Sequence, residues 1–199
     1  AAAHLFEGHV IIFVDTSPSV MIMPTTYFHH LQHAEEFRQA PAIGVYVRWI
    51  RFLGVLASIF LLPLWSLYVF NPDLLPTALE FIGPNEDYKI PIFWQFILAE
   101  LGIDLMRMAA IHTPSPLATA MGLVAAILIG EIAINVGLFV AEVILYLAVA
   151  AVGMFATPSY EMSIANKMVR ILLLTSVYLF DIAGFIIVTT LVIIFLVLT

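Results

Sequence analysis

The sequence predicts an all-α polytopic membrane protein of about five transmembrane helices, preceded by a short N-terminal β/loop remnant of a soluble domain. Three observations carry this reading. The 199 residues are 63% hydrophobic and only 11% charged, with a mean hydropathy of +1.08, whereas a soluble domain holds roughly 45–50% apolar and about 25% charged residues. Uncharged intervals reach membrane length: 21 residues between Arg51 and Asp73, 23 between Arg107 and Glu131, and 18 each between Glu142 and Glu161 and after Asp181. A helix needs about 20 to cross the hydrocarbon. Finally, bases and aromatic residues gather at the ends of such an interval, Arg48, Trp49 and Arg51 at one side and Trp65 and Tyr68 at the other, as anchors at two membrane interfaces do.

Residues 1–43 read as the end of a soluble or interfacial region, and residues 44–199 as a transmembrane helical domain. The start, Ala1 to Glu7, has no basic region and no long apolar core, so it does not read as a signal peptide and suggests a cut inside a longer protein. Residues 9–14 and Val20–Met23 are β-branched-rich and flank Asp15, Thr16, Ser17 and Pro18, which predicts two short strands joined by a turn. Thr25 to Gln39 carries His29, His30, His33, Glu35, Glu36 and Arg38 against Phe28 and Leu31, the pattern of a short interfacial helix or loop.

A first crossing is expected from about Gly44 to Phe70, with Pro63 as a point of bending. Asn71 to Lys89 is acidic and interrupted by Pro72, Pro76, Gly83 and Pro84, and reads as an aqueous loop. Ile92 to Ala110 is long enough to cross, yet it places Glu100, Asp104 and Arg107 on one helical face. It is either a buried crossing or an interfacial helix, and in the second case there are four crossings plus that helix. Further crossings are expected over 117–136, stopped by Gly137, over 140–155, and over 171–199, where Gly184 marks a bend or a frayed end. Placing Arg38, Arg48 and Arg51 inside, five crossings return Arg107, Lys167 and Arg170 to the same side.

Charged and amide groups at membrane depth are the functional candidates, because they are costly there unless hydrated, paired or protonated. They are Glu100, Asp104, Arg107, Glu131, Asn135 and Asp181. One reading has them line a cation path around an oligomer axis; the other pairs Glu100 and Asp104 with Arg107 and ties Glu131 to a neighbouring helix. Glu142 lies near the membrane boundary and reads as hydrated. Ala118, Gly122, Ala126 and Gly130 recur every four residues, a small-residue stripe for close helix packing within or between subunits.

Other classes find little support. With 14 acids, 7 bases, a net charge of −7 and no basic run, no nucleic-acid partner is expected. There is no cysteine, and although His29 and His33 would share a helical face, the pattern is not HExxH, so the histidines read as a solvated interfacial patch and neither metal nor cofactor is expected. No phosphate loop, nucleophile elbow or serine with an evident base is present, so no enzyme activity is expected. A secondary transporter would call for an internal inverted repeat, and none is visible.

Several runs, in order, carry a resemblance: FEGHVIIFVDTSPS at 6–19, MPTT at 23–26, FRQAP at 37–41, RWIR at 48–51 and ATPSYE at 156–161. Together they resemble the spore germination receptor A-subunit family, and YFHHLQHAEEF at 27–37 with AAIHTPSPLA at 109–118 is closest to its stage V sporulation protein AF branch. The resemblance implies a homo-oligomeric ion-channel subunit in the inner membrane of a bacterial spore. It would work in the bilayer with a transporter-like B-type subunit and contribute to release of monovalent cations during germination, amplifying the germinant signal. It also implies a larger soluble N-terminal part. In that branch the positions of Glu131 and Asp181 are expected to be uncharged. The competing reading is a non-conducting scaffold or signal-transducing subunit for the same kind of partner.

Overall fold

A computed structural model of the chain describes residues 2–18, 20–33, 39–74, 81–84, 88–112, 124, 127–128 and 130–198. The N-terminal part is a short helix α1 (Ala2–Phe6), an antiparallel hairpin of β1 (Val10–Phe13) and β2 (Val20–Met23) in the register Val10↔Met23 to Phe13↔Val20, and a one-turn helix α2 (Tyr27–Leu31). The two strands expected from the β-branched runs are therefore present. Their turn is closed by Thr16, whose backbone N–H donates to Asp15 Oδ1 at 2.9 Å and whose φ is +64°.

Four helices follow that pack together: α3 (Pro41–Phe70), α4 (Ile92–His112), α5 (Ala141–Phe155) and α6 (Tyr160–Leu198). Pro41 opens α3 at a position where a missing N–H costs nothing, and the helix runs on through Pro63. Contacts fix the directions. Ser58 meets Arg170 and Asn71 meets Asp181, so α6 starts out parallel to α3. Trp65 meets both Phe96 and Tyr146 while Gly54 meets Gly153, so α4 and α5 run the opposite way.

Leu62, Trp65, Phe96, Val143, Leu147 and Leu174 fill the centre. Lipid tails are as apolar as these side chains, so helix association in a bilayer rests on close packing more than on the hydrophobic effect. Helices α3 and α5 approach closely: a Cβ built on Gly153 would collide with the carbonyl oxygen of Gly54, and one on Gly54 would lie 3.4 Å from Ala156 Cβ. Gln95, fully buried, joins two chain segments. Its Nε2 donates to Ile90 O at 2.7 Å, and its Oε1 accepts the Val140 N–H at 2.8 Å, capping the start of α5 where no local side chain does so.

The described end of the helical stretch 130–135 is stopped where the sequence placed the stop. Gly137 has φ +70°, Leu138 N–H reaches Ala133 O and Gly137 N–H reaches Ile134 O, the paired bonds of a Schellman cap. Lys89 Nζ adds a bond to Val136 O at 3.1 Å, a cation at the negative end of a helix.

The expected five crossings, or four with an interfacial helix, are not what the chain forms. Among the described residues two helices are long and apolar enough to cross a membrane, α3 and α6, beside a short N-terminal hairpin in an otherwise all-α chain. An uncharged interval is not a helix length: α5 has 15 residues, about 22 Å at 1.5 Å per residue, against a hydrocarbon core of about 30 Å. Within α4, Glu100, Asp104 and Arg107 break the apolar run. The helix expected over 117–136 lies outside the described residues except at 124, 127–128 and 130–136. Most consequentially, the last helix starts at Tyr160 instead of Ile171, so Lys167 and Arg170 are not loop residues marking one side of the membrane. Both are buried within α6.

That helix is 39 residues long and is broken at Asp181, whose φ of 51° and ψ of −134° are not helical. The chain doubles back there: Phe185 lies 6.3 Å from Phe60, Val188 packs on the cluster of Leu31, Val55, Ile59 and Leu173, and Gly184 abuts the Ser176 carbonyl so closely that a Cβ would not fit. The expected bend thus exists, three residues before Gly184. The most apolar windows of α3 and α6 are only 33% and 6% buried. A soluble protein would bury such helices; here they turn Leu53, Leu56, Leu64, Ile187, Leu191 and Phe195 outward, as a protein solvated by lipid does.

Candidate functional site

Four charged residues of the bundle converge on one place between α4 and α6. Glu100 and Asp104, four residues apart on α4, face Lys167 and Arg170, three apart on α6, so that each pair presents one helical face to the other. Glu100 Oε1 lies 2.5 Å from an Arg170 terminal nitrogen, and Glu100 Oε2 lies 3.1 Å from Lys167 Nζ. Asp104 Oδ2 also pairs with Lys167. Lys167 further donates to the Glu100 carbonyl oxygen at 3.2 Å, and Arg170 to Ser58 O on α3 at 2.7 Å. Glu100 and Arg170 are 2% and 1% exposed, whereas the Asp104 side chain is 44% exposed.

Two carboxylates and two cations sum to no net charge, which is the condition under which such groups tolerate a low-dielectric interior. The network ties α3, α4 and α6 together in the middle of the apolar bundle. Chemically it holds and orients; nothing in it is a nucleophile with a base.

The expected partner of the two acids, Arg107, is not part of it. Its guanidinium carbon sits 5.5 Å from the Phe155 ring centre and 5.9 Å from that of Tyr160, a cation over aromatic faces. Glu131 and Asn135 also lie apart, exposed on the helical stretch 130–135. Asp181 is exposed at the break in α6, where its Oδ1 accepts from Asn71 Nδ2 at 3.2 Å. Of the small-residue stripe, Ala118, Gly122 and Ala126 lie outside the described residues, and a Cβ on Gly130 would meet nothing within 4 Å.

Sequence reasoning missed Lys167, Arg170, Gln95 and Asn166. A signal was present for the first two: their i, i+3 spacing complements the i, i+4 spacing of Glu100 and Asp104, and a helix begun at Tyr160 puts them on one face.

The surface segment is fastened next to this network. Tyr27 on α2 donates its hydroxyl to Asn166 Oδ1 at 3.2 Å, and Leu31 is buried against α3 and α6 while its carbonyl accepts from Arg51 at 3.0 Å. Burial pushes the Tyr27 phenol above its usual range, and the bond to Asn166 pulls it partly back. Thr26 N–H donates to His29 Nδ1 at 3.0 Å, and His30 Nε2 lies 3.3 Å from Thr25 Oγ1. These two histidines of the expected solvated patch anchor the start of α2.

Comparison with known proteins covers the same chain from end to end. The family described as Bacillus/Clostridium GerA spore germination protein matches residues 1–199. The chain is 63% identical over 187 residues to stage V sporulation protein AF of Bacillus subtilis (strain 168), covering 94% of the chain and 38% of that protein. It is 30% identical over 185 residues to spore germination protein A1 of the same organism, covering 92% of the chain and 38% of that protein. With spore germination protein GerIA of Bacillus cereus it shares 31% over 169 residues, 83% of the chain and 26% of that protein. The chain thus spans less than two fifths of the length of these curated relatives. No solved structure matches it.

Proposed function

From its place in the Bacillus/Clostridium GerA spore germination protein family, to which the chain belongs, we propose that it is the membrane-embedded part of a germination subunit. In this reading it sits in the spore inner membrane, assembles with copies of itself and with a transporter-like partner, and gives monovalent cations a path out, amplifying the germinant signal. It performs no covalent chemistry.

The observation that carries the cation path is the position of Glu131 and Asn135. Both are exposed beside Ile127, Leu128, Ile132 and Val136, which are exposed too. A carboxylate on an apolar outer face is expensive against lipid and inexpensive against water or a neighbouring subunit. The buried Glu100 is neutralised by Lys167 and Arg170, and the half-exposed Asp104 pairs with Lys167, so a cation path is better placed along the exposed Glu131, between subunits.

The experiment is cation flux through the full-length protein with its partner in liposomes. Glu131→Gln is expected to lower the flux or the preference for cations over anions. Unchanged flux and unchanged preference in Glu131→Gln would reject the path. The second reading, a non-conducting scaffold, is favoured by the self-neutralised network that locks three helices, and it predicts no flux from the wild-type assembly at all.

A further inference from the structure

We infer that His4, Glu7 and His9 form a binding site for a divalent transition metal, with zinc the best match. The site is made by the local fold. Helix α1 ends at a glycine with φ +87°, Gly8, where Gly8 N–H bonds Leu5 O at 3.1 Å and His9 N–H bonds His4 O at 2.9 Å. This is a Schellman cap, in which the second residue past the helix end lies over the residue one turn back. Those two residues are His9 and His4, and Glu7, the last residue before the glycine, lies between them.

As a result one ligand atom from each of the three side chains lies within 4.8 Å of the others. His4 Nδ1 is 3.4 Å and His9 Nε2 is 3.7 Å from the same oxygen, Glu7 Oε2. Zinc bonds of about 2.0–2.2 Å to nitrogen and oxygen in a tetrahedron put neighbouring ligand atoms about 3.3–3.5 Å apart, so the set needs only small side-chain adjustments to close on an ion. His4 Nδ1 is buried, makes no hydrogen bond among the described residues and lies against the Glu7 carboxylate, so no hydrogen bond is lost when an ion enters between the two. Two neutral imidazoles and one carboxylate with a fourth position open to water suit a borderline metal better than calcium or magnesium, which prefer all-oxygen shells.

The surroundings fit the role. The Glu7 side chain is 60% exposed and that of His9 12% exposed, so an ion has a way in and one ligand is held firmly. The His29 ring stands edge-on to His9 at 5.3 Å, while its Nδ1 is committed to the Thr26 N–H. A metal here would pin α1 to β1 directly above α2, the element whose Leu31 is buried in the bundle.

The test uses full-length protein carrying no polyhistidine tag, stripped of metal and titrated with Co2+, then with Zn2+ against a chromophoric chelator. The expected result is one Co2+ per chain with the intense visible absorption of a tetrahedral site, displaced by Zn2+. His9→Ala and Glu7→Ala should each weaken binding at least about ten-fold, the loss that even outer partners of metal ligands cause. Gly8→Val, which removes no ligand but cannot hold the positive φ, should do the same, and His33→Ala should leave binding unchanged. The proposal is overturned if the wild-type protein takes up no metal, if its cobalt spectrum is octahedral, or if His9→Ala and Glu7→Ala bind as tightly as the wild type. Should the variants fail to fold, X-ray absorption at the zinc edge of the wild-type protein decides: a shell without two imidazoles refutes the assignment.

Discussion

Glu100→Gln is the sharpest probe of how the bundle is held. The carboxylate is 2% exposed and faces Arg170 at 2.5 Å and Lys167 at 3.1 Å. Losing its charge leaves Lys167 with Asp104, but Arg170, 1% exposed, keeps only the Ser58 carbonyl and the amide oxygen. One buried cation is thus left without a counter-ion, a situation that costs about 3–5 kcal/mol. At about 2–4 °C per kcal/mol, the detergent-solubilised full-length protein should melt about 6–20 °C lower, nearer the small end for a longer chain. Asp104→Asn is the internal control, because its side chain is 44% exposed and a solvent-screened pair contributes about 0–1 kcal/mol. Glu100→Leu combined with Arg170→Met removes the inner pair together, keeps the Asp104–Lys167 pair, and should recover most of the lost stability, since apolar replacements of buried pairs are often neutral. The reasoning is refuted if Glu100→Gln melts within about 1 kcal/mol of Asp104→Asn, or if the double variant is no better than Glu100→Gln.

Gly153→Ala should destabilise the bundle by about 1–3 kcal/mol through overpacking, because its Cβ has to displace the Gly54 backbone. Gly130→Ala, with open space at its Cβ, should be neutral or gain up to about 1 kcal/mol in helix propensity; equal melting temperatures for the two would be the contrary result. Asp181→Gly should match or exceed wild-type stability, since a non-glycine residue at φ 51°, ψ −134° stores about 1–3 kcal/mol of strain, whereas Asp181→Val should lower the melting temperature. Tyr27 supplies a pH dependence. Its folded-state phenol ionises above the unfolded one, so its contribution is intact below about pH 10 and is lost as pH rises through the higher folded value. Tyr27→Phe should flatten that alkaline loss in a pH series of melting curves.

What the sequence made legible was whatever depends on near neighbours. The hairpin followed from two β-branched runs around Asp15 and Pro18, the stop at Gly137 from a glycine at the end of an apolar run, and the bend in the last helix from its excessive length. The count of crossings failed because it treated charge as a marker of water. Lys167 and Arg170 are buried in α6, where Glu100 and Asp104 compensate them, and the pairing partner is 67 residues away along the chain. No local pattern reports a contact at that separation. A second small-residue contact escaped the sequence reading for a related reason. Gly54 and Ser58 form a small-residue pair four apart on α3, but only the antiparallel packing of α5 brings Gly153 against them.

The position of the charge network matters more than its existence. Asn166, which accepts from Tyr27, immediately precedes Lys167, which pairs with Glu100 and Asp104. From there the contacts run without a gap in both directions. Toward the surface they pass through α2 to His29 and its edge-on contact with His9; toward the opposite end of the bundle they pass through Arg170 to Ser58 on α3. Contiguity by itself transmits nothing, since coupling requires an element with two arrangements whose balance both ends bias. The network opposes rearrangement. Glu100 stands between two cations and Lys167 between two carboxylates, but Arg170 is paired with Glu100, so a rotation of α6 that gives Glu100 wholly to Lys167 leaves a buried cation bare. Tyr27 therefore meets α6 one residue from a firmly held part of the bundle, and a buried network without net charge is better suited to holding helices than to binding an ion.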